Sequence, residues 1–144
     1  MNEEEQLIIH CLYFTASRFA RNITKLAEET FDFGDLAPSY LYMILVVHYH
    51  PDITQKELCQ KLSIAPSTST RFIDKLEKNQ LVNRKMNGKQ TYISLTEKGE
   101  EVYEEFRTSL KEFFSRYSDI LGREFSLDLS KMLHEASNKL EKGK

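Results

Sequence analysis

The sequence predicts a mainly α-helical fold that contains one small β-hairpin. Over most of the chain, apolar residues recur at intervals of three and four, which is the spacing of one face of a helix. Between residues 81 and 95 the period changes to two, and Asn87-Gly88, a favoured pair for a tight turn, stands between two strand-like runs. A chain of 144 residues with 40% hydrophobic residues is long enough to bury a core.

The two ends of the chain are predicted to be long helices. One uninterrupted helix is expected from Leu7 to about Phe31, because its apolar residues share one face. Near the other end, Thr96 is predicted to cap a long helix that stops at Gly122, and a last helix is expected from about Ser126 to Leu140.

Three shorter helices are predicted in the centre. The run "SYLYMILVVHYH" is apolar almost all round and ends before Pro51, which is typical of a buried helix. Thr54 with Glu57 three residues later predicts a capping box at the start of the next helix. Pro66 then opens a third helix, which runs to about Lys78, because proline in the first turn loses no helical hydrogen bond. The predicted inward face of that helix holds Ser69, Phe72 or Ile73, and Leu76.

Charge is unevenly distributed along the chain. The formal net charge is −2, yet residues 54–98 carry nine Lys and Arg against four Asp and Glu. The corresponding counts are three against eight for residues 1–53, and eight against ten for residues 99–144. A basic centre within an acidic chain is expected where one lobe meets a polyanion.

Two short helices followed at once by a basic hairpin predict a helix-turn-helix with a wing. The second helix of such an element enters the major groove of double-stranded DNA with its N-terminus first. This position accounts for the run "APSTSTRF", since hydroxyl groups donate to phosphates or base edges and an arginine can contact guanine with two hydrogen bonds. The predicted DNA-contacting residues of this helix are Pro66, Ser67, Thr68, Thr70, Arg71 and Lys75.

The hairpin is predicted to contribute a second set of contacts. Arg84, Lys85 and Lys89 surround Asn87-Gly88, where they can reach a neighbouring minor groove or its phosphates. Two alternatives remain open for these residues. The hydroxyl groups can simply cap a helix while Arg71 stays solvated, and a polar hairpin tip is common in any soluble protein.

Two other functional classes agree less well with the sequence. A winged-helix module that binds protein and never touches DNA is the alternative function, and the charge distribution argues against it. An enzyme is not expected, because the chain has no phosphate loop, no nucleophile elbow and no H-E-x-x-H motif. No cofactor is expected. No metal site is expected either, since the pair His48 and His50 would lie on different faces of a helix.

The runs "STSTR", "LEKNQLVNR" and "LTEKG" resemble the MarR family of winged-helix transcriptional regulators, over residues 36 to about 105. The resemblance implies a homodimer that recognises a palindromic operator, most often as a repressor. Residues 36–99 would form the DNA-binding lobe, with residues 1–35 and 100–144 as dimerisation helices. Many members have a longer wing with an arginine near its tip. Here Lys89 is its nearest match, which favours phosphate contacts over base contacts.

The resemblance also implies an effector, because family members commonly sense small phenolic or lipophilic molecules, or oxidants through cysteine. The candidate pocket residues are Tyr13, Phe14, Tyr40, Met43 and Tyr103, with plain core packing as the alternative.

The two cysteines are predicted to be reduced core residues. Cys11 is the one candidate for oxidant sensing, but its flanks "IIHCLYFTASR" do not match the peroxide-sensing motif in register, so a buried inert thiol is expected. Cys59 is expected to be buried as well. The acidic start "MNEEEQLIIHCLYF" and the lack of a membrane-length apolar run predict a cytoplasmic protein with no membrane partner.

Overall fold

The computed structural model describes residues 1–143, which fold into helices and one small antiparallel sheet, as the sequence predicts. None of the helices in this part of the chain is long and apolar enough to cross a membrane. The chain divides into two compact units: the helical unit is Met1–Thr30 with the chain from Leu110 onward, and the lobe is Phe31–Ser109. The elements are α1 (Glu3–Ile9), α2 (Leu12–Thr30), α3 (Pro38–Tyr49), β1 (Ile53–Thr54), α4 (Gln55–Leu62), α5 (Pro66–Lys78), β2 (Val82–Asn87), β3 (Gln90–Leu95), α6 (Glu97–Leu121) and α7 (Arg123–Lys142).

The prediction of one uninterrupted first helix is wrong, since α1 ends at Ile9 and α2 begins at Leu12. Between them the backbone tightens, and the N–H of Cys11 donates to the carbonyl of Ile8 at 3.3 Å, three residues back instead of four. Apolar spacing reports which face of a helix is buried and does not report the continuity of its hydrogen bonds. The apolar pattern therefore does not indicate the break between α1 and α2.

The lobe is built on α3, which the sequence predicted as a buried helix. Leu41, Met43 and Ile44 are fully buried, and Met43 and Ile44 join a core that includes Ile73 and Leu76 of α5. On α5 the sequence left Phe72 and Ile73 open, and the structure buries Ile73 while Phe72 is half-buried. The core thus holds α5 by one face and leaves its other face outward.

The capping box predicted at the start of α4 is half present. The hydroxyl of Thr54 accepts the N–H of Glu57 at 3.1 Å, as predicted. The carboxylate of Glu57, however, accepts the hydroxyl proton of Thr54 at 2.9 Å and not its backbone N–H. Thr54 also belongs to β1, so the residue serves the sheet and the helix together.

The sheet has three strands in the order β1-β3-β2, where the sequence predicted a two-stranded ribbon. The third strand, β1, contributes only two residues, and Ile53 pairs with Ile93. The turn is also shifted by one residue from the predicted Asn87-Gly88, because Asn87 pairs with Gln90. The two turn residues are therefore 88 and 89. Gly88 has φ +65°, as the first central position of a type II′ turn requires.

The start of α6 lies close to the hairpin. Thr96 caps the helix as predicted, accepting the N–H of Gly99 at 3.0 Å. A Cβ on Gly99 would lie 2.1 Å from the carbonyl oxygen of Leu81, so only glycine fits there. Gly122 ends α6 with φ +93°, again as predicted, while α7 begins at Arg123, three residues before the predicted start.

Candidate nucleic-acid interface

The first turns of α5 present a polar surface. Pro66, Ser67, Thr70 and Arg71 are exposed and Thr68 is half-buried, so the structure brings the predicted residues of this run together on one end of the helix. The N-cap of α5 is an alanine, residue 65, and no side chain caps the helix there. The hydroxyl cluster is therefore not explained by N-capping.

Thr70 differs from its neighbours because its hydroxyl is engaged within the lobe. It donates to the carbonyl of Pro66 at 3.1 Å and accepts the side-chain amide of Gln55 at 2.8 Å. Gln55 is the first residue of α4, so this hydrogen bond connects the two helices of the helix-turn-helix. Sequence reasoning missed Gln55, because no local pattern connects residues fifteen positions apart.

Two of the predicted DNA-contacting cations are paired within the lobe. The ammonium group of Lys75 donates to the carbonyl of Asp35 at 3.0 Å, lies 3.4 Å from its carboxylate, and lies 4.9 Å from the ring centre of Tyr40. The guanidinium of Arg84 donates to the carboxylates of Asp74 and Glu77. The hydrogen bond to Asp74 is the main cause that raises the pKa of Arg84, with Glu77 acting in the same direction. Both cations hold α5 against other parts of the lobe.

Three predicted cations remain unpaired. The exposed side chains of Arg71, Lys85 and Lys89 form no ion pair within residues 1–143. Lys89 occupies the second position of the hairpin turn, and Lys85 lies on β2. The positive charge that this side of the lobe offers to a ligand thus comes from these side chains and not from Lys75 or Arg84.

Ser69 faces the core, which confirms its predicted place on the inward face of α5. It is fully buried, and its hydroxyl oxygen has no hydrogen-bond partner among residues 1–143. An unpaired buried hydroxyl costs about 1–3 kcal/mol.

We expect Ser69→Ala to leave the free energy of unfolding unchanged or to raise it by about 1 kcal/mol, because the substitution removes an unsatisfied polar atom without opening a large cavity. Urea unfolding followed by circular dichroism measures the effect. Ser69→Val is the matched control, and its extra methyl groups should lower stability by about 1–3 kcal/mol through overpacking. A clear loss of stability in Ser69→Ala would mean that the hydroxyl has a partner after all.

Of the five candidate effector residues, three are packed inside the lobe. Met43 is fully buried in its core, and the ring of Tyr40 lies 4.4 Å from that of Phe72. Tyr103 is 3% exposed and donates its hydroxyl proton to Tyr49 at 3.1 Å. This hydrogen bond, together with burial, raises the pKa of Tyr103 to about 12.

The other two candidates, Tyr13 and Phe14, belong to the helical unit, and Tyr13 is 83% exposed. The same unit contains two adjoining apolar cavities of about 150 and 460 Å³. The sequence placed their lining residues on helical stripes but did not single them out, because a stripe does not reveal how completely its face is filled. The residues that line both cavities are Phe19, Ile23, Tyr117 and Leu121.

The cysteine prediction holds for one residue and fails for the other. Cys59 is buried, as expected. Cys11 is exposed, because it lies at the break before α2, beside a helix that buries none of its residues. His48, one of the two histidines of the H-x-H pair, lies with its Nδ1 2.6 Å from the carboxylate of Glu100, and its ring stacks on Tyr103 at 3.7 Å.

Comparisons with known proteins match this geometry. The model of the MarR family matches residues 40–88, which run from α3 through the hairpin. An uncharacterized HTH-type transcriptional regulator of Bacillus cereus (strain ATCC 10987 / NRS 248) is 29% identical over 126 residues, covering 87% of this chain and 83% of the relative. The HTH-type transcriptional repressor MdtR of Bacillus subtilis (strain 168) is 26% identical over 99 residues, covering 67% of this chain and 64% of MdtR.

Solved structures share the fold. The transcriptional repressor CouR bound to a 23-mer DNA duplex has a TM-score of 0.84 at 19% identity, covering 91% of this chain and 95% of CouR. CouR bound to p-coumaroyl-CoA has a TM-score of 0.83 at 20% identity, covering 91% of this chain and 94% of CouR. The helix-turn-helix and the wing are the part of the chain that the MarR family model matches, over residues 40–88, and the relatives that cover most of the chain are HTH-type transcriptional regulators.

Proposed function

We propose that the chain is a repressor that binds a palindromic operator as a homodimer, with α5 in the major groove and the wing on the flanking backbone, and that a small molecule releases it. The observation that carries this proposal is the outward N-terminal end of α5, where Ser67, Thr68 and Arg71 are grouped, together with the exposed wing lysines that form no ion pair within residues 1–143. The names of MdtR and CouR as repressors support the direction of control.

We assign each DNA contact according to whether the side chain's donor groups are already engaged inside the lobe. Arg71 reads a base edge, because its guanidinium is exposed and forms no ion pair within residues 1–143, whereas Lys85 and Lys89 bind phosphates. Ser67 and Thr68 donate to phosphates or base edges from the first turn, beside Pro66. The remaining predicted residues, Thr70, Lys75 and Arg84, support this surface through their contacts inside the lobe.

The homodimer is supported by the apolar surface of the helical unit. Several large apolar side chains of this unit are exposed in the single chain. A monomeric soluble protein rarely exposes so large an apolar surface, and a second copy of the chain would cover it. A two-fold dimer would place two copies of α5 about 34 Å apart, one turn of DNA. The exposed apolar residues of this unit include Leu7, Ile9, Leu12, Ile120, Phe125, Met132 and Leu140.

We expect Leu12→Glu to convert the dimer into a monomer and to abolish tight operator binding, because Leu12 is 86% exposed in the single chain and a carboxylate would be buried at the interface. Sedimentation equilibrium measures the oligomeric state. Met86→Glu is the matched control, since Met86 is 72% exposed on the lobe, and it should leave the oligomeric state unchanged. If the Leu12→Glu protein remained a dimer, Leu12 would not belong to the dimer interface.

The proposed effector is a lipophilic small molecule bound in the cavities of the helical unit. Their lining is mostly apolar, with the hydroxyl groups of Tyr117 and Ser130 available to orient a ligand. The structure of CouR with p-coumaroyl-CoA supports a small-molecule effector that carries a phenolic group. An oxidant is the second candidate signal, favoured by the exposed thiol of Cys11.

Gel shifts with DNA that flanks the chain's own gene and with random DNA, over a series of salt concentrations, test the proposal. Salt-dependent binding to both, with tighter binding to one flanking fragment, is the expected result. Absence of binding even at low salt would favour the alternative of a protein-interaction module. Footprinting of the bound fragment would then show whether the protected site is a palindrome.

A further inference from the structure

A polar cleft of about 510 Å³ lies in the lobe between the first turn of α4 and the tip of the hairpin. Lys56 and Gln60 line it from the helix, and Lys89 and Gln90 line it from the hairpin. Each wall thus carries one ammonium group, with the side-chain amides of Gln55 and Gln60 on the helical wall and that of Gln90 on the hairpin wall.

The electrostatics of the cleft favour an anion. Lys56 and Lys89 are exposed and form no ion pair within residues 1–143. The one carboxylate among the lining residues, Glu57, already accepts the hydroxyl proton of Thr54 at 2.9 Å. Two unpaired cations therefore face one carboxylate that is held at the start of its own helix.

The cleft lies between two parts of the proposed DNA surface. Gln55, on its helical wall, donates to the hydroxyl of Thr70 on α5 at 2.8 Å. Lys89, on its other wall, is a wing residue that we propose to bind a phosphate. A DNA strand that touches both α5 and the wing would pass across the opening.

We propose that this cleft holds a stretch of the DNA sugar-phosphate backbone, with Lys56 and Lys89 contacting its phosphates from opposite walls. Lysine binds phosphate as a point charge, and the amides of Gln60 and Gln90 can donate to phosphate oxygens. The inference rests on the proposed DNA-binding role of α5 and the wing. It adds Lys56 to that surface, a residue that neither the charge pattern nor the motif singled out.

Salt titrations of DNA binding test this assignment. Fluorescence anisotropy would measure the dissociation constant of wild type, Lys56→Ala and Lys89→Ala on a random duplex and on the operator. Each lost phosphate contact should reduce the slope of log affinity against log salt by about 0.9. Between 50 and 200 mM salt, the affinity of the variant should then fall by a factor about 3.5-fold smaller than that of wild type. Both substitutions should weaken the two duplexes by similar factors, and Lys56→Arg should retain the wild-type slope.

Lys61→Ala is the matched control, because Lys61 is an exposed cation in the last turn of the same helix and does not line the cleft. It should keep the wild-type slope. A wild-type slope in Lys56→Ala, while wild-type protein binds DNA normally, would overturn the inference and leave the proposed function standing. Wild-type protein that binds no DNA at low salt would overturn both.

Duplexes with one uncharged methylphosphonate locate the contact. Wild-type protein should lose affinity when the linkage in the cleft is uncharged, and both Lys56→Ala and Lys89→Ala should be insensitive to that same linkage or its neighbour. Insensitivity at linkages far apart would show that the lysines do not share one stretch of backbone, which would also overturn the inference.

Discussion

Replacing Arg71 by alanine is expected to lower operator affinity by about 1–3 kcal/mol for each half-site and to relax specificity at one base pair. The guanidinium is exposed at the N-terminal end of α5 and has no partner within residues 1–143, so no contact inside the chain compensates for its loss. In a dimer both half-sites lose the contact, so the loss counts twice in the affinity for the operator. Titrations with the operator and with each single-base variant of it measure affinity and specificity together.

Lys89→Ala is the matched control for Arg71→Ala. A phosphate contact carries no base information, so this substitution should weaken binding to all sequences by a similar factor. Arg71→Lys is a second control, because a lysine retains the charge and loses the planar pair of donors. It should recover part of the affinity and little of the specificity. Equal loss of specificity in Arg71→Ala and Lys89→Ala would contradict the assigned roles.

Phe106→Ala is expected to lower the free energy of unfolding of the lobe by about 3–5 kcal/mol. Phe106 is fully buried, and the rings of Phe31 and Tyr42 each meet it edge to face at 5.2 Å, with Phe33 at 6.1 Å. Alanine would leave a cavity and remove these aromatic contacts, which add to the loss of buried area. Thermal and urea unfolding of the full chain measure the effect.

Phe106→Leu provides a graded control, since it keeps an apolar side chain of intermediate volume and should cost clearly less than alanine. Because Phe106 has no exposed surface, the base preference of the protein that remains folded should be unchanged. A loss below about 1 kcal/mol in Phe106→Ala would mean that the aromatic cluster collapses around the gap or does not hold the lobe together.

The elements that the sequence predicted well depend on residues close together in the chain. Pro66 at the first turn of α5, Thr96 as the cap of α6 and Gly122 after its last turn act on backbone groups within about four residues. The all-round apolar run of α3 indicated burial without any knowledge of its neighbours. Local patterns therefore predicted most of the helices.

Features that depend on distant partners were missed. Strand β1 has two residues and exists because Ile53 pairs with Ile93, forty positions later. The hairpin turn moved by one residue because strand register is decided by which side chains the core buries, here Val82 and Ile93, and not by the turn pair alone. Neither feature has a signal within a short window of sequence.

The same distinction applies to the interface. Composition and motif predict α5 and the wing as the DNA-binding elements, because hydroxyl groups, an arginine and a basic turn are readable in order along the chain. They could not determine which cations are free. Tertiary contacts pair Lys75 with Asp35 and Arg84 with Asp74, and leave Arg71 and Lys89 without an ion pair in the part of the chain that the structure describes. An ion pair depends on the distance in space between residues that are far apart in sequence. The sequence by itself therefore determined the residue types and their order, and only the fold decided which charges are available to a ligand.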